Sequence, residues 1–210
     1  MFKSRIAIAF CIFLCGSAHA VSISPAAIVY TGNEKSGVLN IDNSEGATAV
    51  TYRISALEVT VSGGTQVRTQ SEKIRFAPAL VTVQPGKSQA VRFLRGDLGA
   101  TEQVYRVKMT QQLDPALKTV QTPVHQDLSW IWRPEGAQPR LSARWDSNGW
   151  TVSNTGNATA QLVSPTAGGK VVPGLLDYVL PGETRTFKLD LPREVVRATV
   201  NGKITEITDK

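Results

Sequence analysis

Apolar and polar residues alternate one for one through a series of short runs, and this two-residue period restricts the fold class before any other feature does. The runs are Leu39 and Ile41; Val50, Tyr52, Ile54 and Ala56; Val91 and Phe93; Tyr105, Val107 and Met109; and Phe187, Leu189 and Leu191. Successive side chains of a strand point to opposite faces, so the pattern predicts strands buried on one side. The sustained i, i+3, i+4, i+7 stripes of an amphipathic helix are absent. Turn-forming residues separate the runs: Thr31-Gly32-Asn33, Asn43 to Gly46, Gly63-Gly64, Pro85-Gly86, Ser147-Asn148-Gly149, Gly168-Gly169, Pro181-Gly182 and Asn201-Gly202. Short strands at this spacing predict an all-β sandwich architecture.

An internal similarity divides the chain. Ile41-Asp42-Asn43-Ser44-Glu45-Gly46-Ala47-Thr48-Ala49-Val50 resembles Val152-Ser153-Asn154-Thr155-Gly156-Asn157-Ala158-Thr159-Ala160-Gln161. In both, a strand ends at an Asn, turns over small polar residues and re-enters through Ala-Thr-Ala. Downstream, Val83-Gln84-Pro85-Gly86 and the strand after it resemble Leu180-Pro181-Gly182 and the strand that follows. Two strand-turn-strand units recur in the same order, offset by 111 and 96 residues. The expectation is two related sandwiches, the second about 15 residues shorter between these landmarks; the alternative is a chance likeness of turn-rich β segments. Arg133-Pro134-Glu135-Gly136 falls where the first unit would end and reads as a linker, placing the boundary near residue 135.

Within the 210 residues, the first 20 read as a secretion signal: Lys3 and Arg5 form a basic n-region, Ile6 to Leu14 an apolar h-region, and Ala18-His19-Ala20 a cleavage site. Cleavage after Ala20 would remove both cysteines, Cys11 and Cys15, and His19, leaving His125 as the one histidine. Such a mature chain has no thiol chemistry, no disulfide and no metal site built on cysteines or a histidine cluster, so no cofactor is expected. No other apolar run reaches the ~18 to 20 residues that span a bilayer, which predicts an exported protein without membrane insertion. Loss of Lys3 and Arg5 leaves 21 of the 23 basic residues against 17 acidic ones, a formal +4. The excess is spread along the chain without a basic run, which argues against nucleic acid.

Several segments, taken in order, resemble the periplasmic pilus chaperones of the chaperone-usher pathway, the PapD-like family of two immunoglobulin-like domains. They are Val21-Ser22-Ile23-Ser24-Pro25, Leu39-Asn40-Ile41-Asp42-Asn43, Ile74-Arg75-Phe76-Ala77-Pro78-Ala79, Val83 to Arg92, Val104-Tyr105-Arg106-Val107 and Ile131-Trp132-Arg133-Pro134. Val152 to Asn157 and Tyr178-Val179-Leu180-Pro181-Gly182 continue the likeness. The resemblance implies a signal over residues 1–20, an N-terminal chaperone domain over 21–134 and a shorter C-terminal sandwich over 135–210. It also implies a non-enzymatic periplasmic protein that binds pilus subunits and delivers them to an outer-membrane usher. Subunits of this pathway lack a final strand, and the chaperone lends its G1 strand to the open groove by β-augmentation.

On that resemblance the lent strand lies within Lys118 to Trp132, with Val120, Thr122, Val124, Gln126 and Leu128 as the row that faces the groove. Pro123 cannot donate a ladder hydrogen bond, so its amide must point away from the subunit or the lent segment must be shorter. Members of the better-known branch of the family carry an arginine early in the first strand and a lysine on G1 that grip the subunit's terminal carboxylate. Here these positions fall on Ala27 and Ser129, which cannot make a charge-assisted bond. Other cations must anchor the subunit as in a divergent, archaic-like branch, or subunit binding is lost. The candidates are Arg92, then Arg106 and Lys108. An exposed apolar row would also favour weak self-association.

A different class of function stays open beside the chaperone: an exported immunoglobulin-like binding or structural module, such as a surface component or a carbohydrate binder. Trp130, Trp132, Trp145 and Trp150 lie close in sequence to the domain boundary. They are expected to pack at the elbow between domains or to stack on sugars. His125, Asp127 and Ser129 share a strand face but lack a nucleophile elbow, so no catalytic residues are assigned.

Overall fold

The computed structural model describes residues 21–32, 34–96, 101–113, 122–146, 149–167, 170–171, 176–188 and 196–207. The expected signal, residues 1–20, lies outside them, as do Asn33, Val120, Ser147-Asn148, Gly168-Gly169, Leu189 and Leu191. Every regular element among the described residues is a β-strand. The first ten strands make one sandwich. One sheet orders β1 (Ser22–Ser24), β3 (Ser36–Asn43), β8 (Lys87–Arg95) and β6 (Ile74–Ala77). The facing sheet orders β2 (Ala27–Thr31), β10 (His125–Arg133), β9 (Gln103–Gln112), β4 (Val50–Ser62) and β5 (Thr65–Ser71), with β7 (Leu80–Val83) also on β4.

The second sandwich sets β11 (Leu141–Asp146), β12 (Gly149–Asn154) and β16 (Thr184–Phe187) against a larger sheet. That sheet orders β14 (Lys170–Val171), β13 (Ala160–Ala167), β17 (Val196–Val200) and β18 (Lys203–Ile207), with β15 (Leu176–Val179) also on β13. The two sandwiches share a plan. β1, β3, β4, β7, β8, β9 and β10 have the same pairing partners as β11, β12, β13, β15, β16, β17 and β18. Among the described residues, β2 and β6 of the first sandwich have no counterpart in the second, while β14 pairs with β13 as β5 does with β4.

The alternating runs fill the cores. Leu39, Ile41, Tyr52, Ile54, Val91, Phe93, Tyr105, Val107 and Met109 are all buried in the first, with Leu128, Trp130 and Trp132 from β10. Each such side chain contributes about 1.5–3 kcal/mol on burial. The rings interlock: Trp132 stacks on Tyr30 with centroids 4.9 Å apart, and Trp130 meets Phe93 at 4.6 Å. This corrects the expected place of the tryptophans. Trp130 and Trp132 lie in the core of the first sandwich, while Trp150, with Trp145 packed against it, belongs to the second. An inward-pointing aromatic on a strand near a boundary is spent on its own core, so Trp130, Trp132 and Trp150 offer no open stacking platform.

The sequence similarity between the two units has one physical origin. Asn43 and Asn154, 2% and 1% exposed, end equivalent strands. The Asn43 amide donates to Thr48 O at 2.9 Å and Val83 O at 3.2 Å, and that of Asn154 to Ala158 O at 2.8 Å and Val179 O at 2.9 Å. Their own carbonyls accept from Gly86 N at 3.0 Å and Gly182 N at 2.8 Å. Each Asn thus ties its turn to the Pro-Gly turn that leads into the neighbouring strand, β8 or β16, where the glycines hold φ of 70° and 80°, a region that disfavours a Cβ.

The sandwiches meet at a built junction. Arg133 at the end of β10 donates through Nε to Glu102 Oε2 at 2.6 Å and through Nη2 to Thr159 O at 2.9 Å. Thr159 N donates to Glu102 Oε1 at 2.7 Å, and its hydroxyl donates to the same oxygen. A second tie runs from Gln66 Nε2 to Glu183 Oε2 at 2.9 Å and from Thr184 N to Gly64 O at 3.0 Å. Buried Val59, Val104, Ile131 and Leu180 fill the space between the polar ties.

Two expectations follow from these ties. Asn43→Ala and Asn154→Ala should each cost about 1–3 kcal/mol, because buried carbonyls lose their donor; unchanged denaturation midpoints would contradict the assigned role. Glu102→Ala should cost about 3 kcal/mol by leaving Arg133 without its carboxylate. It should also broaden the distribution of interdomain angles seen by small-angle scattering.

Candidate functional site

β10 is a central strand for only part of its length. It pairs antiparallel with β9 from His125↔Thr110 to Trp132↔Gln103. On its other side β2 joins in parallel only from Ser129↔Ala27 to Arg133↔Thr31, with Ser129 N donating to Ala26 O at 3.0 Å. The reason lies in the first strand. β1 pairs with β3 in the opposite sheet, and the chain crosses to this sheet at Pro25, which has no amide hydrogen to add to a ladder. Among the described residues, no strand covers the free edge of β10 before Ser129. Backbone amides and carbonyls along His125–Leu128 stand there as a template for another chain.

The side chains on that stretch carry the core outward. Trp132, Trp130 and Leu128 are buried, Gln126 is half-buried, and Val124 is 47% exposed. Leu113, just past β9, is 42% exposed, and Gln111 N donates to Val124 O at 3.0 Å, so the two exposed apolar residues lie at the same end of the β9–β10 pair. Of the row expected from the sequence, Thr122 is exposed and Val120 lies outside the described residues. Leu128, at 3% exposed, is already committed to the core. Pro123 precedes the first strand residue, His125, so its missing amide falls outside the β9–β10 ladder.

The odd-numbered face of β10 looks the other way. Ser129 pairs with Ala27 on β2 and with Arg106 on β9, so Ala27, Ser129 and Arg106 form one row across three strands. Arg106 Nη1 donates to Ser129 Oγ, while its Nε is buried without a hydrogen-bond partner. Burial, and then the neighbouring Arg68, pull the Arg106 guanidinium below the ordinary arginine range, while Asp127, Tyr178 and Asp177 partly oppose this. A half-buried cation in such a place favours an incoming anion. Beside it Val59, Gln66, Tyr178 and Leu180 close the cleft to about 10 Å³, room for about one water. The row opens to solvent at Ala27, which is exposed.

The three candidate cations are not brought together. Lys108 pairs with Asp127, two residues from Arg106 toward the hairpin tip. Arg92 lies in the opposite sheet, paired with Val38 and Ala77, and projects outward between buried Val91 and Phe93. It is therefore remote from Ser129 and its row. Ser129 Oγ is engaged by Arg106, and Asp127 lies 3.8 Å from Arg68 in an exposed ion pair. Sequence reasoning missed the junction residues Glu102, Gln66 and Glu183, whose partners lie 57 and 117 residues away and leave no local pattern.

Comparison with known proteins places these features. None of the curated proteins matches the sequence. Among solved structures, a chain of the CsuC–CsuE chaperone–tip adhesion subunit pre-assembly complex, from the archaic chaperone-usher Csu pili of Acinetobacter baumannii, superimposes with a TM-score of 0.73. The identity is 16%, over 91% of this chain and 99% of that one. The Escherichia coli chaperone DraB gives a TM-score of 0.67 at 18% identity, over 91% and 97% of the chains. A chain of the Salmonella enterica SafA pilin–SafB chaperone complex gives 0.63 at 17% identity, over 91% and 94%. At these identities the likeness shows a common fold, the tandem immunoglobulin-like sandwich. A family model, the PapD N-terminal domain of pili and flagellar-assembly chaperones, matches residues 20–138, the stretch that holds the half-paired strand and Arg106. The chain belongs to the pili and flagellar-assembly chaperone family.

Proposed function

We propose that this chaperone acts in the periplasm, where it holds an incomplete pilus subunit by lending it the first part of β10 and then passes it to an outer-membrane usher. The observation that carries the reading is the half-paired strand. From Thr122 to Leu128 one backbone edge is open, and Val124 and Gln126 extend the core-facing row beyond the sandwich. A subunit strand added there satisfies the open amides and carbonyls, and its groove takes the alternate side chains. Val120 and Thr122 extend the proposed row at its N-terminal end, while Leu128 supports it from within the core. Residues 21–134 act as the subunit-binding domain and 135–210 as the smaller domain that closes the cleft.

Arg106 is the proposed anchor for the subunit's terminal carboxylate. It stands one strand over from Ser129, at the same register, so a neighbouring strand supplies the charge that Ala27 and Ser129 lack. Its unpartnered Nε and its burial make a charge-assisted bond favourable. Lys108 lies closer to the hairpin tip and serves less well, and Arg92 is on the wrong sheet for this task.

Co-expression with a pilus subunit from the same operon should yield a soluble one-to-one complex, and the subunit alone should aggregate or be degraded. Val124→Asp should abolish capture while the free protein stays folded, because Val124 is exposed before binding. Capture that survives this change would move the lent segment elsewhere. Arg106→Ala should weaken the complex by about 1–3 kcal/mol, and Arg92→Ala should leave it unchanged. The opposite ranking would overturn the assignment of the anchor.

A further inference from the structure

Gln126 is a polar side chain in an otherwise apolar row. On the core-facing side of β10 it stands between Val124 and Leu128, and across the ladder it pairs with Met109, which is fully buried. Met109 in turn pairs with buried Ile54 on β4. Alternation therefore aims the Gln126 amide along the line of the core, at the point where that line leaves the sandwich. The side chain is half-buried.

The three glutamines of β9 are engaged locally. Gln103 Oε1 accepts from the Tyr105 hydroxyl at 3.2 Å, Gln111 Oε1 accepts from Val124 N at 3.3 Å, and Gln112 Nε2 donates to Thr110 O at 3.1 Å. The Gln126 amide has no hydrogen-bond partner among the described residues, so in the free protein solvent satisfies it. Lending the first part of β10 to a subunit, the reading on which this step rests, removes that solvent. The incoming strand closes the open edge, and the groove that receives Val124 receives Gln126 beside it. An amide carries two N–H donors and one carbonyl acceptor. Sealed among apolar groups without a partner, it weakens binding by about tenfold to a hundredfold. A pocket that meets such a group with a hydrogen bond discriminates far more sharply than an apolar pocket does.

We propose that Gln126 is a specificity-determining residue of the lent strand, selecting subunits whose groove carries a hydroxyl or amide side chain at its level. Val124 contributes contact that any apolar groove can match, and Gln126 contributes the discrimination. The full-length chaperone and the pilus subunit of its operon test this directly. Gln126→Met keeps the length of the side chain and removes both hydrogen-bonding groups. The free variant should keep its thermal midpoint, since it loses no internal hydrogen bond, and its capture of the subunit should fall about tenfold. The polar residues of the subunit groove are then changed singly to valine. One of these changes should weaken capture by the wild-type chaperone and be recovered by Gln126→Met, because the apolar pair leaves neither side unpaired. A merely structural role for Gln126 would give no such recovery. Gln126→Leu makes the same comparison should the methionine variant fail to fold. Capture by Gln126→Met as strong as by the wild type, or the absence of any groove change that it recovers, would overturn the proposal and leave strand lending intact. A wild-type chaperone that captures no subunit would overturn strand lending itself, and this proposal with it.

Discussion

The backbone of β10 has partners on both sides from Ser129 onward and on one side before it, and the organisation of the molecule follows from that asymmetry. A buried strand end must have its amides and carbonyls satisfied. β2 does this for Ser129–Arg133, where the tryptophans and the junction arginine sit. Before Ser129 the first strand has left for the other sheet, and the edge stays open. The C-terminal half of β10 is thereby a fixed part of the core, and the N-terminal half is available to another chain. The proposed capture uses one strand in both capacities, so the subunit would be joined to the core's own row of side chains.

The junction gives this edge its surroundings. Arg133, two residues past Ile131 in the interdomain cluster, is held by Glu102 and by the carbonyl of Thr159, so the same strand that runs out to Val124 is tied at its other end to the second sandwich. Arg106 lies between the open edge and these ties, in a cleft closed by Tyr178 and Leu180. A carboxylate arriving at Arg106 would therefore meet a guanidinium whose position is set by both sandwiches. The proposed anchor would thus be a single charged stop at a defined register, set by strand pairing and the interdomain ties.

Much of this was legible in the residues and some was not, for physical reasons. Period-two alternation marks inward positions directly, which is why Leu39, Ile41, Tyr52, Ile54, Tyr105, Val107 and Met109 were readable as core. The repeated Asn and Pro-Gly pieces were readable as two related units because one hydrogen-bonding device, the buried Asn tying two turns, needs the same residues in each. Register was not readable. That Arg106 stands beside Ser129 depends on how β9 pairs with β10, which no local pattern specifies, so the sequence ranked Arg92 first, while of the three candidates only Arg106 shares the row. The tryptophans misled through their nearness to the boundary, since alternation sends Trp130 and Trp132 inward to the core.

The central claim is that the backbone before Ser129 is an open edge which a subunit strand completes. Amide hydrogen exchange, resolved by residue in the free protein and in its complex with a co-expressed pilus subunit, reads that edge directly. Amides on the free side of Thr122–Leu128 should exchange rapidly alone and become strongly protected in the complex, while those of Trp130–Arg133 are protected in both. Protection of the Thr122–Leu128 amides that does not change on subunit binding would contradict the account.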